Sequence, residues 1–198
     1  MKTSFISALA FIILGFSACG DSKNSDHVQS VTLPDSELES IAPLFTDISA
    51  VASSSISKIV DQYLLIQNAL ANDDGKSAAA SGKAMATLVE GLDMQSFNDA
   101  ERNRLLEEKE SLEEYARYIS ESESDIEVQR QHFIMLSESV YGVVEAFGGG
   151  RKLYTAYCPM VENNTGAKWL SETNEVKNPY YGASMLACGS IDEYFNTL

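Results

Sequence analysis

Positive charge and histidine are both scarce in this chain. Two histidines occur among 198 residues, and 14 Lys and Arg stand against 29 Asp and Glu, a net charge of -15. So little basic charge argues against nucleic acid, because phosphate neutralisation needs clustered Lys and Arg. It argues equally against electrostatic attachment to anionic lipid. Metal cations and basic partners meet no such repulsion. With one histidine near the N-terminus and one in the body, His-based activation of a nucleophile has little to work with. The familiar catalytic signatures are missing too: no G-x-S-x-G, no H-E-x-x-H, no P-loop and no G-x-G-x-x-G. Gly148-Gly149-Gly150 follows a helical segment rather than a strand and reads as a hinge, not a phosphate cradle. The expectation is a protein that is not an enzyme.

A long apolar run is also lacking. The run at 5–16 is too short to span a bilayer. It follows Lys2 and leads into Ser17-Ala18-Cys19, which together describe a secretory signal. Small residues directly before a Cys resemble the lipobox of bacterial lipoproteins, with Phe16 where Leu is usual. Cleavage there leaves residues 1–18 as signal peptide and Cys19 as the lipidated first residue. Several acyl chains anchor firmly, at about 0.8 kcal/mol per buried CH₂. The chain is thus expected to be exported and held on a membrane by lipid. Gly20, rather than Asp, follows Cys19, and by the enteric sorting rule this favours the outer membrane over the inner. Residues 19–34, rich in Ser, Asp and Asn, read as a flexible tether in which His27 is a solvated histidine.

Residues 35–198 are long enough for one domain with a proper core. Four segments repeat apolar residues at helical spacing. The first runs over about 36–71, with Ile56, Ile59, Val60, Tyr63, Ile66 and Leu70 on one stripe, and ends in the turn Asn72-Asp73-Asp74-Gly75. The second spans about 76–92, and its Ala and Ser content permits close packing. The third runs from 96 or 98 to about 120, with Leu105, Leu112, Tyr115 and Ile119 inward and a charged, solvated face. The fourth follows the N-cap candidate Ser124-Asp125 and carries Phe133, Leu136, Val140, Val143 and Phe147. His132 there reads as a packed imidazole. The pattern predicts an all-α fold: a four-helix up-down bundle followed by a mostly irregular Cys/Met-containing segment, 151–198.

That segment holds the sulfur. Asn178, Pro179 and Gly189 carry cap, first-turn and stop chemistry, so 179–188 is expected to form a short helix. Met185 and Cys188 would share a face of it, and Cys158 and Met160 would point the same way from extended chain. Converging thiolate and thioether groups suit Cu(I) over hard cations. The competing reading is a Cys158–Cys188 disulfide, favoured by export and by the two cysteines left after Cys19 is lipidated. Closing a loop of about 30 residues is worth roughly 3.5 to 4 kcal/mol in the chain-entropy model. The pair lacks the C-x-x-C spacing that lowers a thiol pKa.

Cys158-Pro159-Met160, Trp169-Leu170-Ser171, Asn178-Pro179-Tyr180-Tyr181-Gly182 and Met185-Leu186-Ala187-Cys188-Gly189, in that order, resemble domain of unknown function 3347. The stretches Gln129-Arg130-Gln131-His132-Phe133, Leu136-Ser137 and 63–71 resemble its helical part. The resemblance covers about 45–192. Tyr181 stands where Phe is common, and Val161-Glu162 where a small apolar pair is common. The family occurs in exported bacterial proteins, and similar segments end some periplasmic adaptors of heavy-metal efflux pumps. The resemblance implies a heavy-metal context, most naturally copper, with Cys158, Met160, Met185 and Cys188 as the matching positions. A lipid-anchored module that buffers or senses Cu(I), or hands it to an efflux component, is the first expectation. An interaction module of the envelope, stapled by a structural Cys158–Cys188 bridge, is the second.

Overall fold

The computed structural model describes residues 33–196. The signal peptide at 1–18, Cys19, and the tether up to and beyond His27 lie outside the described residues.

Four long helices carry the chain: α1 (Ala50–Ala71), α2 (Gly75–Glu90), α3 (Asp99–Glu121) and α4 (Ile126–Phe147). Their starts follow from caps. Ser49 accepts from the Ala52 amide at 3.1 Å, Asp74 from Ser77 at 2.9 Å, and Asp125 from Val128 at 3.2 Å. At α3 a full capping box forms, with Glu101 reaching back to the Asn98 amide at 2.9 Å. Gly148, at φ 72, ends α4. Consecutive helices pack on each other, and α1 also meets α4. At Gly82 a Cβ would come within 2.7 Å of the Ala116 carbonyl, so α2 and α3 approach closely where the side chain is missing.

The first helix is shorter than the apolar pattern predicts. It begins at Ala50, not near residue 36, and the preceding chain forms strand β1 (Glu39–Ile41). Pro43 is the cause: it lacks an amide hydrogen and disfavours helix at Ala42. The chain after it is useful elsewhere. Leu44 and Phe45 donate their amides to the Glu145 and Ala146 carbonyls at 3.0 and 2.8 Å, satisfying acceptors that the end of α4 leaves open.

The C-terminal part departs further from expectation. It is not mostly irregular, and the fold is not all-α. Strands β2 (Leu153–Cys158), β3 (Ala167–Ser171) and β4 (Ser190–Phe195) join β1 in a four-stranded sheet of order β1-β4-β2-β3. β2 pairs antiparallel with both β3 and β4, and β1 runs parallel to β4. The expected helix at 179–188 is absent as well. A 3-10 turn at Gly182–Ser184 replaces it, in a loop whose Asn178 amide donates to the Leu186 carbonyl at 2.8 Å. That cross-loop bond closes the chain on itself, whereas a helix would have extended it.

Sheet and helices share one core. Tyr63 of α1 stacks on Phe133 of α4 at 5.1 Å; Phe133 meets Tyr180 at 5.8 Å; Tyr180 meets Trp169 of β3 edge-on at 5.7 Å. Edge strand β3 gains partners from two of these rings. The Leu170 amide donates to the Tyr63 hydroxyl at 3.0 Å, and the Tyr180 hydroxyl donates to the Lys168 carbonyl at 2.5 Å. Tyr63 also bonds Ser137 at 3.0 Å, and burial raises its phenol far above the usual range. Tyr63→Phe strips a buried amide and a buried hydroxyl of their partner. Urea unfolding should show a loss of about 1–3 kcal/mol with the m-value unchanged, and a loss under about 0.3 kcal/mol would contradict this role.

Candidate thiol centre

Cys158 ends β2 and Cys188 precedes β4, so the β2–β4 pairing sets them side by side. Tyr157 lies opposite Ser190 in that ladder. Gly189 makes the approach possible: at φ 140 it occupies backbone that favours glycine, and a Cβ there would sit 2.7 Å from the Tyr157 carbonyl oxygen. The two Sγ atoms are 2.7 Å apart. That is longer than the roughly 2.03–2.05 Å of a disulfide but shorter than the contact distance of two unbonded sulfurs, so the pair stands close to bridge geometry. Cys158 is fully buried, while Cys188 is half-buried.

The methionines are placed differently from the sequence expectation. Cys158 and Met160 do not share an extended strand, because β2 ends at Cys158 and a turn follows. Met160 is 46% exposed, and its carbonyl accepts from the Tyr181 hydroxyl at 2.8 Å. Met185 is half-buried and is joined to Cys188 by a turn hydrogen bond, Cys188 amide to Met185 carbonyl at 3.0 Å, rather than by a helix face. The structure therefore brings the two thiols together and puts the methionines on the two turns that flank them. Tyr181 ties one turn to the other. Burial raises its phenol pKa, and charge on Cys158 and then Cys188 raises it further, which marks the ring as a neighbour of both.

The loop carrying Cys188 is held by residues that the sulfur pattern does not reveal. Asn178 is fully buried; its Nδ2 donates to the Cys188 carbonyl at 2.8 Å and its Oδ1 accepts from the Tyr180 amide at 2.8 Å. Its capping chemistry is legible in the sequence, though what it caps is a turn. Arg130 of α4, with a side chain 9% exposed, reaches three parts of the chain. Its Nε donates to the Pro179 carbonyl at 3.0 Å. Its Nη2 donates to the Leu70 carbonyl at 3.1 Å and to Asp73 at 2.5 Å. Asp73 in turn accepts from the Ala183 amide at 3.1 Å. Those bonds, Arg130 first, hold the Asp73 carboxyl below its usual pKa. Gly182, at φ 54, leaves room for them, since a Cβ there would collide with Asp73 and Arg130. The signal for Arg130 was its place on the buried stripe of α4, three residues before Phe133.

His132 packs on Tyr118 with centroids 4.9 Å apart, and burial lowers its pKa. It lies on α4 facing α3 and takes no part in the thiol centre. Among the described residues, no cluster of three or more His, Cys, Asp or Glu is arranged for a metal. A soft ion would have to be held by Cys158 and Cys188, with thioethers completing the set. The residue types fit such an ion. Bonds of about 2.3 Å to each sulfur, the zinc–thiolate value, would need the pair to open by roughly 2 Å for a linear geometry.

Residues 59–152 match the family described as Protein of unknown function (DUF3347), the family that the sequence resembles. The matched region runs from within α1 through α4 and stops before β2, so it contains Arg130 and Asp73 but neither thiol. No curated protein and no solved structure matches the chain.

Arg130→Ala removes a donor from four acceptors, the Pro179 and Leu70 carbonyls and the Asp73 and Glu127 carboxylates. An unfolding titration should show a loss of about 2–4 kcal/mol, and a loss under about 0.5 kcal/mol would contradict the clamp. The thiols give a second test. Burial, then contact with Cys158, pushes the Cys188 thiol up to about 11. Its unfolded counterpart ionises near pH 8.5, so the folded form loses stability as pH climbs from about 8.5 to about 11. Alkylation of Cys188 by iodoacetamide should rise about tenfold per pH unit beyond pH 9. A plateau near pH 8.5 would show an unperturbed thiol.

Proposed function

We propose that this chain is an exported lipoprotein, lipid-anchored through Cys19, that binds a soft metal ion through Cys158 and Cys188. Cu(I) is the ion that two thiolates suit best, and Met160 and Met185, on the flanking turns, are the candidate thioethers. The four helices, read as an up-down bundle, form the body that holds this centre away from the membrane. Buffering, sensing, or delivery to a heavy-metal efflux component are the roles open to a binder with no catalytic constellation. The outer membrane is the preferred location, by Gly20. The observation that carries the reading is the 2.7 Å approach of the Cys158 and Cys188 sulfurs, brought together from distant parts of the sequence by the β2–β4 pairing.

The same separation supports a second reading. Two sulfurs so close reach disulfide geometry with a small movement, and a bridge there would staple the C-terminal segment to the body of a non-metal interaction module. Anaerobic titration of the reduced chain with Cu(I), against a chromophoric competitor, separates the two. One ion per chain, lost in a Cys158→Ser/Cys188→Ser variant, is the expected result. Equally tight binding by that variant would rule the centre out as a metal site. Absence of binding to the reduced chain would leave the bridge.

A further inference from the structure

The two sulfurs differ in access, and the difference has a chemical consequence that does not require a metal. Cys158 is fully buried at the end of β2, with Trp169 1% exposed and Leu170 fully buried on the neighbouring strand. Cys188 sits half-buried on the loop that Asn178 and, from α4, Arg130 hold in place. Beside that loop lies a shallow groove of about 130 Å³ lined by Tyr180, Tyr181, Gln131, Arg130, Glu127 and Glu162. Tyr181 connects groove and thiols: it lines the groove and donates its hydroxyl at 2.8 Å to the carbonyl of Met160, two residues beyond Cys158. Glu127 and Glu162 are exposed there, and the positive charge of Arg130 is already engaged by Asp73 and Glu127.

We infer that Cys158 and Cys188 form a one-sided thiol-disulfide exchange site for small uncharged or cationic disulfides, with Cys188 the sulfur that meets the substrate and Cys158 the sulfur that resolves it. The sequence of bonds follows from access. Cys188 Sγ, as thiolate, attacks one sulfur of the substrate R–S–S–R. A Cys188–S–R bond forms, the substrate S–S bond breaks, and R–S⁻ leaves with the electron pair and takes a proton from water. Cys158 Sγ, buried from solvent, attacks Cys188 Sγ and gives up its proton to the departing sulfur. The Cys158–Cys188 bond forms and the second sulfur departs as R–SH. Two protein thiols are oxidised to one disulfide, and R–S–S–R is reduced to two R–SH. The 2.7 Å contact means that the second step needs little chain movement. The net charge of -15 and Glu162 of the groove disfavour anionic disulfides, an effect that salt screens.

The test uses the full chain carrying Cys19→Ala, reduced and kept in chelator, so that no metal contributes. Cystamine is the cationic probe, dithiodipropionate the anionic one, and acid-quenched samples are mapped by mass spectrometry. The first adduct should appear on Cys188 and then vanish into the internal bridge. In Cys158→Ser the Cys188 adduct should accumulate to one per chain. In Cys188→Ser, adduct formation on Cys158 should be slower by at least about a hundredfold, because it waits for local opening. Cystamine should outpace dithiodipropionate at low salt, and the ratio should shrink in 1 M salt. A first adduct on Cys158, or equal rates in the two single variants, overturns the assignment; a faster anionic probe overturns the substrate class. The time course of the chain with both thiols decides the order of attack even if a substituted chain misfolds. Failure here leaves the Cu(I) titration untouched, and failure of that titration leaves this exchange standing.

Discussion

The pairing of β2 with β4 is the constraint on which the rest depends. Cys158 and Cys188 are 30 residues apart and meet only because Tyr157 and Ser190 lie opposite each other in this ladder, with Gly189 flat against the Tyr157 carbonyl. β4 also takes β1 along its other side, with Ile41 beside Phe195. The strand nearest the start of the described chain and the one nearest its end are thus neighbours. The last ladder therefore fixes the thiol centre and fastens the N-terminal side of the body at once. Asp35 adds to that fastening through Lys152 at 2.7 Å and the Tyr154 hydroxyl at 3.1 Å. Such pairings have high sequence separation and come late in folding relative to helices built from local contacts.

The sheet needs the helices in return. A sheet edge exposes unpaired amides and carbonyls that invite association. β3 is such an edge, and its Leu170 amide and Lys168 carbonyl are taken by the hydroxyls of Tyr63 and Tyr180. Phenylalanine would fill the same volume and leave both backbone groups without these partners. The aromatic chain from Tyr63 through Phe133 and Tyr180 to Trp169 is therefore also the polar junction between the two halves of the fold. Arg130 makes a second junction at the level of the Cys188 loop. The thiol centre is held from both sides, by the ladder on one and by the guanidinium on the other.

The helices were legible in the sequence because their burial follows a 3.6-residue repeat and their ends carry cap chemistry. Ser49, Asp74, Asn98 and Asp125 each accept an amide hydrogen where a helix begins. The start of α1 was not legible, since Ile41, Phe45 and Ile48 continue the apolar pattern although Pro43 breaks the helix. The strands hid for a different reason. A half-buried strand alternates, but five of the six residues of β2 are buried, and the β2–β4 register shifts between Thr155 and Ala156. The short runs Leu-Tyr-Thr-Ala-Tyr and Ile-Asp-Glu-Tyr-Phe did carry strand-forming residues; what they lacked was a period. For the site, the pairing of Cys158 with Cys188 was legible from cysteine arithmetic alone. The sharing of faces by Cys158 with Met160 and by Met185 with Cys188 was not, because both inferences rested on local geometry that turns replace. Asp73 and Asn178 sit in segments that read as ordinary turn and cap chemistry, and only the folded chain shows that they converge on one loop.

The proton is the competitor that any soft ion at this centre must displace. Burial that raises the Cys188 thiol to about 11 keeps it protonated at neutral pH, so a cation binds there only by releasing that proton. Each proton released ties affinity to pH, about tenfold per unit while the thiol remains protonated. That cost is the same for every ion, so a borderline ion that gains less from thiolate would be left with less net affinity than Cu(I), whose preference for sulfur is stronger. Burial at Cys188 would thus narrow the range of ions that the proposed centre could hold, with no carboxylate or histidine among the described residues joining the two sulfurs in a cluster. Deeper burial keeps Cys158 from solvent reagents and leaves Cys188 as the point of entry. One packing arrangement therefore bears on both proposals: it sets the proton that a soft ion would have to displace and the sulfur that a disulfide would meet first.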